Sequence, residues 1–198
     1  MKVLVVEACR SPEIRKRDTE PLVLSKYFET DGLPYELYSN DGIWESRVEL
    51  SKSLMSELLR NPAISIVHLA VHGDTQGLIL RWSKEPAIRD RVPIELLTPS
   101  DIRLMSGWNQ KLVVSGACRS AELAPDFLKV GASAVVAPAT EVPWLRIGLF
   151  FRSFYRSYRQ SAVPESALAQ ALLEYPEYRS YGVFRSKDEG ASFPSGAG

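Results

Sequence analysis

Uninterrupted apolar runs separated by stretches of helical periodicity constrain this chain more than any other feature. Residues 2–7 form one such run around Val3-Leu4-Val5-Val6, and residues 64–71, 111–115 and 134–137 form others. A half-exposed strand alternates apolar with polar residues, whereas a strand covered on both faces reads as a continuous apolar stretch. Helical patterns lie between the runs. Leu22, Leu24, Tyr27 and Phe28 predict a helix ending near Gly32. Residues 44–60 predict an amphipathic helix with a stripe of Val48, Leu50, Leu54, Met55, Leu58 and Leu59. Strands alternating with helices in this way predict an α/β fold, a mostly parallel sheet sandwiched between helices.

The remaining elements follow from local signals. Pro34-Tyr35-Glu36-Leu37-Tyr38 alternates like a second strand, and residues 78–82 suggest a short one. Thr98 followed by Pro99 opens a helix, because threonine caps well and proline suits the first helical position. A helix through Phe127, Leu128 and Val130 closes at Gly131. Helices are expected over residues 144–160 and 164–175, and a last strand over 181–184. Residues 187–198, rich in Gly, Ser and Pro, read as a disordered tail behind a single domain spanning residues 1–186.

Composition excludes several functions. With 198 residues, 45% of them hydrophobic, a buried core needs no disulfide or structural metal. Lysines and arginines number 24 and so do the acidic residues, which leaves no concentrated basic surface for nucleic acid. Arg15-Lys16-Arg17 sits among Glu13, Asp18 and Glu20 and reads as a solvated loop. Glu7 cuts short the N-terminal apolar run, which a secretory signal would need to be about 7–15 residues long. No stretch approaches the roughly 18 apolar residues of a membrane span. A cytoplasmic protein is therefore expected, with Cys9 and Cys118 reduced. Neither cysteine belongs to a CxxC pair, and no metal or cofactor is expected.

Two strand ends carry the chemistry. Functional groups in open α/β sheets collect beyond the carboxyl ends of parallel strands. His72-Gly73 lies at one such end and Cys118 at another. If those strands are neighbours, imidazole and thiol meet above one sheet edge. A thiolate attacks a carbonyl while the imidazole carries the proton to and from the leaving group. The backbone N–H groups of Gly73 and Cys118 are candidates for an oxyanion hole.

The words around these residues add a family. Val67-His68-Leu69-Ala70-Val71-His72-Gly73-Asp74, followed by Val113-Val114-Ser115-Gly116-Ala117-Cys118-Arg119-Ser120, resembles the caspase-like pattern of His-Gly and then Ala-Cys-Arg. The separation of His72 from Cys118 is close to the roughly 50 residues expected upstream of a caspase nucleophile. Within that group the chain is most similar to the bacterial CHAT domain, a caspase-like module often fused to tetratricopeptide repeats. Thr98-Pro99-Ser100-Asp101-Ile102, Gly131-Ala132-Ser133-Ala134-Val135-Val136-Ala137-Pro138 and Phe151-Arg152-Ser153-Phe154-Tyr155 extend the likeness, as do residues 167–172.

The resemblance spans residues 60–175. It implies a caspase–hemoglobinase fold with a sheet of about six strands, and cofactor-free peptide-bond hydrolysis by Cys118 and His72. It departs from the pattern at Gly116, where caspases carry glutamine and metacaspases aspartate, so that substrate contact does not carry over.

Other residues are weighed against plainer roles. His68 reads as a core or supporting histidine, Cys9 as packing, and Arg119 as a structural residue bonding loop carbonyls. Candidates for the pocket that selects the cleaved residue are Asp74, Glu141 and Arg10, with Asp41 and Trp144 on neighbouring loops. An acidic pocket would favour cleavage after Lys or Arg, whereas Arg10 would favour an acidic residue; the acidic pocket is the reading preferred. The resemblance implies an endopeptidase acting on a specific protein partner, in bacterial defence or cell death. Its target would be gasdermin-like and its control would come from a regulatory sensor protein. The alternative is a catalytically silent caspase-like scaffold that binds a protein. A class I glutaminase is rejected: Ser120 stands where its Gly-x-Cys-x-Gly elbow needs glycine, and no histidine follows Cys118.

Overall fold

A computed structural model describes residues 1–8, 19–39, 50–74, 76–81 and 94–186, without the side chains of Asp74 and Arg81. The long apolar runs form the strands β1 (Val3–Glu7), β3 (Ile66–Ala70), β7 (Leu112–Ser115) and β8 (Ala134–Pro138), every residue of which is buried. With β2 (Tyr35–Ser39) and β9 (Tyr181–Phe184) they make a six-stranded sheet ordered β2-β1-β3-β7-β8-β9. All neighbours are parallel except β9, which runs antiparallel to β8. β3 and β7 are adjacent, with His68 opposite Val114.

Because strand side chains alternate between faces, the sheet feeds two separate cores. Leu4, Val6, Val67, Leu69, Val113 and Val135 face one way, against α2 (Lys52–Leu59), α3 (Pro99–Leu104) and α4 (Ala124–Lys129). Val3, Val5, Ile66, Val114 and Val136 face the other, against α1 (Glu20–Thr30), α5 (Ile147–Ser161) and α6 (Pro164–Glu174). The second core is the aromatic one. Phe28, Phe150, Phe151, Phe154 and Tyr155 are wholly buried there, and Phe150 stacks on Tyr178 at 4.6 Å.

Several expectations need correction. Helix α2 begins at Lys52, with Ser51 accepting a hydrogen bond from the Leu54 amide, so Leu50 and Ser51 precede it; residues 44–49 lie outside the described residues. Helix α5 begins at Ile147 rather than at 144, because Arg146 takes a left-handed φ of 68° just before it. The strand carrying His68 does not continue to His72. Val71 breaks it, and His72 opens β4 (His72–Asp74), which pairs with β5 (Gly77–Arg81) and β6 (Glu95–Leu97) in a small antiparallel sheet. That small sheet adds Leu78, Leu80 and Leu97 to the first core. The cap at Thr98 forms as expected, as a capping box with Asp101. The tail from 187 onward lies outside the described residues.

One close approach positions the functional end of the sheet. A Cβ at Gly148 in α5 would lie 2.8 Å from the Val23 Cβ and 3.2 Å from the Glu20 Cα, so the glycine lets the start of α1 seat directly on α5. Gly148→Val should force the helices apart and cost about 1–3 kcal/mol. A urea titration would show this as a lower midpoint at unchanged slope. An unchanged midpoint would mean that α1 is not held by this contact.

Candidate active site

At the carboxyl ends of β1, β3 and β7 the chain encloses a pocket against the start of α1 and the loop after β8. Its lining includes Glu7 and Ala8 from β1, and Ala70 to His72 from the β3–β4 junction. Gly116 and Cys118 line it from the β7 turn, Val142 and Trp144 from the later loop, and Ile147 from the start of α5. Alternation explains the meeting. Gly116 donates its amide to the Leu69 carbonyl at 2.9 Å, so strand bonding runs one residue past β7. Counting in twos from Val114 puts Gly116 on the face that carries α1 and α5, and Cys118, in the turn that follows, packs at the edge of that core. Its thiol is free and partly exposed, and His72 is exposed.

The turn after the thiol is tightly built. Arg119 holds a left-handed φ of 57° and donates its amide to the Thr140 carbonyl at 3.1 Å. Ser120 donates its hydroxyl to the Ala117 carbonyl at 2.7 Å. The expectation that the Arg119 guanidinium bonds loop carbonyls is corrected: it pairs with Glu122, exposed, at 3.2 Å.

A buried polar chain reaches the pocket from behind. His68 is fully buried, with Nδ1 2.8 Å from the Tyr155 hydroxyl and Nε2 2.6 Å from Glu20 Oε1. Both ring nitrogens are thereby engaged, and the ring meets Phe151 edge-on at 4.7 Å. Burial, and then the Glu20 charge, pushes the Tyr155 phenol well above its ordinary range, so it keeps its proton. The arrangement that gives every buried hydrogen an acceptor has Tyr155 O–H donating to Nδ1 and Nε2–H donating to Glu20. His68 then accepts at Nδ1 and donates at Nε2, and Glu20 is the accepting end of the chain. The Tyr181 hydroxyl is buried with no hydrogen-bond partner among the described residues, and burial, then Glu20, Tyr178 and Cys118, raise its pKa.

Glu20 occupies the space that Gly116 leaves. A Cβ at position 116 would lie 2.6 and 2.7 Å from its two carboxylate oxygens, closer than real contacts allow. A carboxylate from the first turn of α1 thus sits where the side chain two residues before Cys118 would otherwise project.

Comparison with known proteins places this architecture. The CHAT domain family model matches residues 13–181. The chain belongs to the CHAT domain family. Its fold is that of gingipain R, an Arg-specific cysteine proteinase. The crystal structure of that enzyme superposes with a TM-score of 0.54 at 11% identity, covering 88% of this chain and 42% of gingipain. The complex of RgpB pro- and mature domains from Porphyromonas gingivalis gives 0.58 at 10% identity, covering 89% and 43%. This CHAT domain therefore has the caspase–hemoglobinase fold and spans less than half the length of those solved relatives. Among curated proteins none matches the chain.

Within this CHAT domain, His72 and Cys118 line one pocket, and Trp144 lines its rim. Glu141 is exposed and outside the lining. Cys9, Arg10, Asp41 and the Arg15-Lys16-Arg17 stretch lie outside the described residues, as does the side chain of Asp74, whose backbone pairs with Gly77. His68 bonds Glu20 and Tyr155, and those two contacts use both of its nitrogens. Glu20 and Glu7 escaped the sequence reading; the one hint was the glycine at 116, an empty place beside the thiol. Among the described residues no group of three His, Cys, Asp or Glu side chains could hold a metal ion, and no helix is long and apolar enough to cross a membrane.

The buried chain has a measurable worth. His68→Leu leaves both the Glu20 carboxylate and the Tyr155 hydroxyl unpaired, at about 1–3 kcal/mol for each group. Tyr155→Phe leaves only Nδ1 unpaired and should cost less. Urea unfolding of both variants checks the order, and equal or negligible losses would contradict the chain as drawn.

Proposed function

We propose that this CHAT domain is a cysteine endopeptidase that hydrolyses a peptide bond in a specific protein partner, with Cys118 as nucleophile and His72 as its base. The observation that carries the reading is one pocket lined by both side chains, His72 from the start of β4 just beyond β3 and Cys118 from the turn after the adjacent β7. The Cys118 sulfur attacks the scissile carbonyl as thiolate, forming a C–S bond and an oxyanion. His72 delivers its proton to the leaving amine as the C–N bond breaks. Water, deprotonated by His72, then opens the thioester and restores the thiol.

Amide hydrogens of Gly73 and Cys118 are assigned to the oxyanion. A Cβ at Gly73 would lie 3.0 Å from the Ala117 Cβ and 3.2 Å from the Cys118 carbonyl oxygen, so the two backbones run in contact. The protein target is assigned, by the family likeness, to a bacterial defence or cell-death pathway. It would be a gasdermin-like protein cleaved under the control of a sensor.

The test is cleavage of a proteome-derived peptide library, read by mass spectrometry. Cys118→Ala should abolish cleavage and His72→Ala should lower it by about 10²–10⁴-fold, both with unchanged urea midpoints. Retained turnover in a folded Cys118→Ala protein would remove the proposal, and absence of cleavage by the native chain would favour a binding scaffold.

A further inference from the structure

We infer that the pocket beside Cys118 takes the side chain of lysine or arginine on the acyl side of the cleaved bond, with Glu20 as its ionic partner. The inference rests on the peptidase reading above and adds the substrate class to it.

Three observations converge. First, the described ionisable side chains lining the pocket, apart from the His72–Cys118 pair, are Glu7 and Glu20, both acidic. Glu7 is 3% exposed and accepts a hydrogen bond from the Ser39 hydroxyl at 2.7 Å, so its carboxylate is fixed at the end of β1. Second, the rest of the lining is largely apolar, with Ala8, Pro21, Ala70, Val142, Trp144 and Ile147. A pocket with apolar walls and an acidic end suits a long alkyl stem that finishes in a cation. Third, the acidic end stands next to the nucleophile. The Glu20 carboxylate fills the space over Gly116, two residues before Cys118, so a cation bonded to it belongs to the residue whose carbonyl is attacked.

Glu20 is also built to hold this charge in place. Its side chain is 11% exposed, and one oxygen is bonded to His68 Nε2 at 2.6 Å. A carboxylate offers about four lone-pair directions, so this bond leaves room for an ammonium or a guanidinium. An apolar or acidic side chain entering the same place would strip water from Glu20 and leave it His68 alone to bond. That cost is what turns a pocket into a selector.

The experiment measures the rate of covalent labelling of Cys118 by peptide acyloxymethyl ketones that differ only in their last residue: Lys, Arg, Leu or Asp. The native chain should react with the Lys and Arg probes at least about tenfold faster than with the Leu and Asp probes, since a charged hydrogen bond contributes about 1.5–3 kcal/mol. The Lys-to-Arg ratio says which cation fits better. Glu20→Gln should collapse the ratio of Lys or Arg to Leu toward one. A Leu or Asp probe that reacts fastest, or a ratio untouched in a folded Glu20→Gln protein, would overturn the assignment; the order of rates in the native chain needs no variant.

A separate arm keeps the two proposals apart. Agmatine binding to the Cys118→Ala protein is followed by saturation-transfer NMR, which requires no catalysis. Binding that Glu20→Gln abolishes supports the acidic pocket even if no probe labels Cys118, a result that would remove the peptidase reading alone. No binding of agmatine would overturn the pocket's assignment while leaving labelling of Cys118 to decide the chemistry.

Discussion

One carboxylate organises the functional end of this molecule. Glu20 reaches from the first turn of α1 into a space left by a missing side chain, and a charge in that position must be hydrogen-bonded or neutralised. The chain supplies the bond through His68, and Tyr155 in turn fixes the histidine's tautomer. The three groups come from α1, the central strand β3 and the long helix α5. Holding the charge therefore also ties together the layer that forms one wall of the pocket. Being in the first turn helps, because the exposed amides of a helix start favour a negative charge.

That tie explains why two glycines matter where catalysis is proposed. Gly148 lets α1 come down on α5, and Gly116 lets the carboxylate come down on the strand before the thiol. Either glycine enlarged would push on the same residue from a different side. The geometry around Cys118 is thus a consequence of packing between α1, α5 and the sheet as much as of the turn that bears the thiol.

The central sheet was legible because burial on both faces leaves an uninterrupted apolar run, and β1, β3, β7 and β8 all carry one. His72 and Cys118 stood out because each follows such a run, and both line one pocket. What escaped is what depends on pairing between distant segments. β6 is three residues long and has no pattern of its own; it exists because β5 offers it an edge. The bend at Val71, which moves His72 into a second sheet, has no local signal in a run that stays apolar to residue 71. Glu20 looked like one more charge in a polar loop, and only the fold brings it to residues 68 and 116. Glu141, after β8, is exposed and outside the lining, while its neighbours Val142 and Trp144 line the pocket.

The most direct measurement is a crystal structure of the native chain after reaction with a lysyl or arginyl acyloxymethyl ketone peptide. A thioether at the Cys118 sulfur is expected, with His72 beside it and the cationic side chain bonded to Glu20 over Gly116. An adduct elsewhere, or a cationic side chain turned out to solvent with Glu20 still bonded only to His68, would contradict it.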